Sequence, residues 1–302
     1  RLRDEFNVEL IATVLDEDQV TAFVQEQLAA HPFDGRSVCV LVPDATRTCP
    51  LPLLLRAVHD ALHGRVRRLT VLVALGTHAP MGEEALAAHL GYAPGRLAAT
   101  YPDTTVVNHE WWKPETFADL GTVPASRIVE LSEGRMDLEV PVLLNRAVVE
   151  HDVALVLGPV LPHEVVGISG GNKYFFPGVG GQKIIDVSHW LGALITSAEI
   201  IGTTGITPVR ALIDDGAALI PSEKLLGSKL GMETMHKMSP LVTSMTVTAA
   251  LWSPQRRAVY SCRSASIVVC SGRPGRSCTV SSRPTMLPRA VTSIRSCPAS
   301  WA

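Results

Sequence analysis

Three loops and one helix start hold residues able to move a proton, hold an anion or form a covalent bond. Asp44 and Arg47 lie in Pro43-Asp-Ala-Thr-Arg-Thr-Cys-Pro50. An arginine's planar fork donates two parallel hydrogen bonds, which suits a carboxylate or a phosphate. The plainer reading is a loop pair in which Asp44 caps the next turn. His78 lies in Ala74-Leu-Gly-Thr-His-Ala-Pro-Met81. Imidazole titrates near neutral pH and can both take and give a proton; the plainer reading is a histidine that holds its own loop. The third segment, 158–181, is rich in glycine and contains His163, then Ser169-Gly170-Gly171, then Lys173. Glycines let the backbone approach a ligand closely and turn N–H groups toward an anion. A lysine on such a turn is a candidate covalent attachment point or anion clamp. The phosphate-loop spacing G-x-x-x-x-G-K-[ST] is absent, since Tyr174 follows Lys173, and the segment is not a G-x-G-x-x-G dinucleotide loop. His189 follows sixteen residues after Lys173, in Asp186-Val-Ser-His-Trp190, early on a helix.

The elements that must position these groups can be read from hydrophobic spacing. Short β-rich runs over 37–42, 69–75 and 153–157 read as buried strands, and each is followed by one of the three loops. Helical spacing covers 17–30, 50–63, 81–90, 182–198 and 207–220, with prolines near the first turn of the second and last. Strand–loop–helix repetition of this kind predicts an α/β fold with a largely parallel sheet and flanking helices. In such sheets ligands bind in the loops beyond the carboxyl ends of the strands. That rule alone selects the three loops, without reference to any relative. Of the other histidines, His59, His63 and His89 fall on helices and read as surface or half-buried. His31, His151 and His236 show no partner pattern, and His109 is a weaker site candidate.

Composition bounds the rest. The chain has 302 residues, 46% hydrophobic and 19% charged, as expected of a water-soluble globular protein. No apolar run reaches the ~18 residues a membrane span needs, and the opening Arg1-Leu-Arg-Asp-Glu-Phe lacks the apolar core of a secretory signal. The expected compartment is the cytoplasm, with no membrane partner. All 29 acidic residues precede position 234, and residues 234–302 carry nine Lys and Arg and no Asp or Glu. Four of the six cysteines (Cys262, Cys270, Cys278 and Cys297) lie in this stretch. Such a tail could bind nucleic acid, or its cysteines could hold a metal or form disulfides. Its arginines are scattered, and its cysteine gaps match no zinc spacing and include no histidine. The favoured expectation is a shifted reading frame from about 226 onward, with no function and no nucleic-acid partner.

The run P-H-x-x-x-G-x-S-G-G-x-K-x-x-x-P-G-x-x-G over 162–181, followed by Ser188-His189, resembles the signature of the nickel-dependent lactate racemase family. Asp44-Ala-Thr-Arg47 and Gly76-Thr-His78 resemble two further motifs of that family, in the right order. The likeness spans about residues 10–225. It implies racemisation or epimerisation of a lactate-like 2-hydroxy acid, by proton-coupled hydride transfer to a nickel-pincer nucleotide. That cofactor is pyridinium-3-thioamide-5-thiocarboxylic acid mononucleotide carrying nickel. It implies Lys173 as the tether, His189 as the nickel ligand, His78 and His163 as the acid/base pair, and Arg47 with Asp44 at the substrate. Ser169, Gly170 and Gly171 are placed against the cofactor by their position. Cofactor-making enzymes are implied as partners. The sequence leaves the family pattern after about Lys224, where the family's second α/β domain is missing or replaced. A truncated, catalytically incompetent remnant is the competing expectation.

Overall fold

Strand β1, Ser37–Pro43, is buried along all seven residues, as a strand covered on both faces must be. Its side chains alternate: Val38, Val40 and Val42 enter one core, while Cys39 and Leu41 enter another on the opposite face. β1 pairs in parallel with β2 (Arg68–Ala74) on one side and with β6 (Val153–Val156) on the other. β2 pairs in parallel with β3 (Thr104–Asn108), and β6 with β7 (Glu223–Leu226), giving the five-stranded order β7-β6-β1-β2-β3. The structure is a computed structural model that describes residues 13–14, 16–159, 162–196, 200 and 206–226, and short strands at Leu251–Ser253, Arg256–Ala258 and Tyr260–Ser261.

Parallel strands need crossover connections, and helices supply them on both faces. On the first face lie α1 (Glu17–Ala29), α2 (Leu51–Leu62) and α3 (Glu83–Leu90). Asp16 closes a capping box with Gln19 at the start of α1. Leu51, Leu54, Leu55, Val58 and Leu62 form the buried stripe of α2. The other face carries α4 (Ala125–Leu131), α5 (Gln182–Ile195) and α6 (Pro208–Ala218). Ile184, Leu191, Val209, Leu212 and Ile213 pack there with Phe175 and Phe176. An antiparallel hairpin of β4 (Phe117–Val123) and β5 (Val140–Asn145) borders this core.

The α/β reading and the parallel sheet are as expected, and the three buried strands fall where the apolar runs lie. The helix expected to reach 198 ends at Ile195. β3, the β4–β5 hairpin and β7 are not announced by the sequence. β3 is an edge strand with half-exposed residues, β4 carries Asp119 and Gly121 at an irregularity in its register, and β7 has only four residues. The tail expectation from 226 lies outside the described residues, apart from Leu226 and the three short strands. Among the described residues no helix is long and apolar enough to cross a membrane.

Candidate active site

β1 delivers Asp44 to the carboxyl edge of the sheet, and β2 delivers His78 next to it. Oδ1 of Asp44 accepts from the backbone N–H of Thr46 at 3.2 Å and from its hydroxyl at 2.6 Å. The turn-capping reading of Asp44 therefore holds for this one oxygen. The other oxygen, Oδ2, accepts from Nδ1 of His78 at 2.5 Å. The Asp44 side chain is 8% exposed and the His78 ring 54%, so the carboxylate sits behind a ring that opens outward. Burial opposes the Asp44 charge, but the Thr46 and His78 hydrogen bonds and the His78 charge outweigh it and hold the carboxyl below its ordinary value. A histidine whose Nδ1 donates to a carboxylate carries its lone pair on Nε2 when neutral. His78 is thereby set to accept a proton. Its backbone is held on three sides: Gly76 N–H donates to Gly178 O at 2.8 Å, His78 N–H to Leu75 O at 2.9 Å, and the Trp111 indole to His78 O at 3.0 Å. Arg47 lies on the exposed outer part of the first loop, its N–H donating to Asp44 O at 3.2 Å.

Beyond β6 the chain enters the glycine-rich segment. Gly158 has no room for a side chain, because a Cβ there would meet the Tyr174 hydroxyl oxygen at 1.7 Å. Gly170 has φ +83° and ψ −176°, a region open essentially to glycine alone. Its carbonyl accepts the Lys173 N–H at 3.2 Å and starts the 3₁₀ turn Gly171–Tyr174 that carries the lysine. His163, half-buried, accepts at Nδ1 from the Val165 N–H at 3.1 Å, so its neutral ring carries the proton on Nε2. Burial and the charges of Lys173, Arg47 and His189 push His163 down to about 4, against the pull of Glu164. His163 is neutral at pH 7, in the opposite tautomer to His78. Burial, with Arg47 and Arg210, brings Lys173 down to about 8, Glu164 opposing. Ser169 is half-buried, and Gly170 and Gly171 are buried beside the lysine.

His189 is exposed on the second turn of α5, and its Nδ1 donates to Ile185 O at 2.7 Å. That bond leaves the Nε2 lone pair outward, the arrangement usual for a metal-binding histidine whose other nitrogen is fixed by a carbonyl. Among the described residues, no group of three or more His, Cys, Asp and Glu side chains converges as a metal cage. A metal at His189 would take its remaining donors from a bound group. A lysine held near 8 provides an appreciable amine fraction at neutral pH for an acyl or thioacyl bond. The residues present thus fit a lysine-tethered metal cofactor with a single protein ligand.

All nine expected site residues stand on the loops at this edge or at the start of α5. Asp44 and His78 are in direct contact, while Arg47, His163, Lys173 and His189 are linked through their charges on His163. Several supporting residues escape a sequence reading. Thr46 is the middle of the D-x-T-R motif, so its bond to Asp44 could have been anticipated from the turn alone. His89 donates to Pro43 O at 2.8 Å, and no pattern on its helix announces it. Arg210 and Asp214, four apart on α6, reach the lysine turn only through tertiary structure. His109 is fully buried, with Nδ1 accepting from the Asn145 amide at 3.0 Å and its ring edge-on to Phe117.

The model of the lactate racemase N-terminal domain matches residues 7–202. A lactate racemase from Thermoanaerobacterium thermosaccharolyticum is 25% identical over 158 residues, covering 51% of this chain and 32% of that protein. A crystal structure of a protein from Thermotoga maritima aligns with TM-score 0.62 at 27% identity, over 70% of this chain and 50% of that one. The lactate racemase apoprotein from T. thermosaccharolyticum aligns with TM-score 0.42 at 22% identity, over 59% of this chain and 40% of that one. The chain spans between a third and half of the length of these relatives.

Proposed function

The chain belongs to the lactate racemase N-terminal domain family, and from that premise we propose that it racemises or epimerises a lactate-like 2-hydroxy acid. The observation that carries this reading is the Asp44–His78 hydrogen bond, which turns the Nε2 lone pair of His78 outward to take a proton. Inverting the carbon of a 2-hydroxy acid means removing its hydrogen and returning it to the other face. The neighbouring carboxylate makes loss as a proton costly, and deprotonating the hydroxyl makes loss as hydride easier. The nickel-pincer nucleotide, held by Lys173 and ligated by His189, supplies the hydride acceptor when bound. His78 takes the hydroxyl proton at Nε2, and Asp44 stabilises the imidazolium that results. Asp44, with both oxygens engaged by Thr46 and His78, acts through His78. Arg47 holds the substrate carboxylate. His163 would serve the opposite enantiomer, for which its ring must release Nδ1 from the Val165 N–H and turn that lone pair toward the substrate. Ser169, Gly170 and Gly171 lie against the cofactor. The enzymes that make the cofactor are the implied partners, and the cytoplasm is the implied compartment.

The test is co-expression with the pincer-making enzymes, followed by mass spectrometry of the Lys173 peptide, nickel analysis and chiral assay of lactate. A nickel-containing adduct on Lys173, lost in Lys173→Ala, with interconversion of the two enantiomers, is the expected result. A folded chain without adduct sinks the tether assignment. A second reading is a family remnant that carries cofactor but does not turn over. It predicts adduct and nickel without interconversion. The boundary near 225 belongs to the same proposal: a second family-like domain in another reading frame past codon ~225 would identify the tail as frame-shifted.

A further inference from the structure

Helix α6 begins at Pro208, beyond the region matched by the family model. Three of its residues nevertheless reach the segment that carries Lys173. The hydroxyl of its N-cap Thr207 donates to Val166 O at 3.1 Å. One turn on, Arg210 Nη1 donates to Gly170 O at 3.1 Å. Asp214 Oδ1 accepts from the Asn172 amide at 2.9 Å and lies 3.5 Å from Arg210 Nε. Gly170 O is the same carbonyl that accepts the Lys173 N–H. The helix therefore grips the turn at two points just before the lysine, at 170 through Arg210 and at 172 through Asp214.

The shape of the turn explains the need for a grip. Gly170 holds a backbone conformation that few residues adopt, and glycine gives up more freedom than any other residue when it is fixed. A hydrogen bond from a charged donor is roughly twice as strong as one between neutral backbone groups. Arg210 is a charged donor with its side chain 16% exposed, paired to a carboxylate that binds the neighbouring residue. Burial lowers the Arg210 guanidinium, Asp214 opposing, but an arginine stays charged.

We infer that Arg210, braced by Asp214, is a positioning residue that fixes the Gly170–Tyr174 turn and so presents Lys173 for attachment of its cofactor. The inference rests on the reading of Lys173 as the tether. Groups facing the Lys173 ammonium are Arg47 from the loop after β1, His163 and Glu164 from the glycine-rich segment and Arg210 from α6. Arg210 thus adds a second effect, since its charge favours the amine form of the lysine.

The full-length apo chain is the material for the test, with Arg210→Met, Arg210→Lys and Asp214→Asn as variants. Hydrogen exchange of the peptide over 169–176 and acetylation of Lys173 by acetic anhydride at pH 8 are followed by mass spectrometry. In Arg210→Met, exchange at this peptide is expected to rise at least ~10-fold while peptides from β1 and α2 are unchanged. Lys173 acetylation at pH 8 is expected to fall by up to about two-fold relative to the other lysines, because one of the cations that favour its amine form is gone. Arg210→Lys keeps the charge and restores acetylation more than it restores protection. Asp214→Asn loosens the same peptide through Asn172 and carries the test if Arg210→Met does not fold. Unchanged exchange and acetylation in a folded Arg210→Met overturn the inference. These readouts need no cofactor, so an absent adduct on the wild-type chain would sink the tether reading alone.

Discussion

Asp44→Asn separates orientation from substrate contact. Asparagine keeps the shape but offers no charge to an imidazolium and can turn an N–H toward Nδ1. In the cofactor-loaded protein, kcat is expected to fall by roughly 10²–10⁴-fold, the range of a lost general base, with KM for the hydroxy acid little changed. In the apo protein, ¹⁵N spectra of labelled histidine are expected to show His78 protonated at Nδ1 in the wild type and redistributed toward Nε2 in the variant. A large rise in KM with an unaltered His78 spectrum would instead return Asp44 to the substrate. At this scale much was legible in the sequence, because strand ends followed by Asp, Arg, His and Lys stand out against apolar runs. The side on which each ring holds its proton was not legible. It depends on a backbone N–H at Val165 and a carboxylate thirty-four residues upstream of His78.

Among the elements, the contact between the end of β6 and the lysine turn is the most exacting. A Cβ at Gly158 would lie 1.7 Å from the Tyr174 hydroxyl oxygen and 2.4 Å from Cζ of its ring. Gly158→Ala must therefore push the whole ring aside. We expect a loss of roughly 1–3 kcal/mol, as for an overpacked core, read as a lowered urea midpoint with unchanged slope. Adding Tyr174→Phe should not recover it, since Cζ remains in place; full recovery would mean that only the hydroxyl matters. The elements themselves follow from the sequence where burial is two-sided or strongly one-sided, as in β1 and α2. They do not where the strand is an edge or is interrupted. Four residues of β7 gain their strand character from pairing with β6, not from their own pattern.

For the whole molecule, the buried histidines determine how stability responds to acid. Burial pushes His109 down to about 4; burial, Lys173 and the other nearby charges bring His163 to the same value; and burial and Arg68 lower His151. Each ring binds a proton more readily in the unfolded chain, where its ordinary pKa is ~6.5. Stability is therefore complete above about pH 6.5 and declines as pH falls toward 4, each histidine adding at most ~1.4 kcal/mol per pH unit. Urea denaturation at pH 7.5 and pH 5 checks this, and His109→Asn should flatten the difference; equal midpoints at both pH values would contradict it. The α/β architecture was legible from the alternation of strands and helices. The depth of His109 was not, since nothing near Asn108-His109-Glu110 distinguishes a core imidazole from a loop one. The reach of α6 back to Gly170 bears on how such genes are recognised. A survey that scores only the four motifs would accept any fragment ending at His189, with every signature letter intact and the lysine's brace left behind. If Arg210 holds the lysine turn as inferred, the smallest inheritable unit of this site extends through a helix beyond the matched residues 7–202.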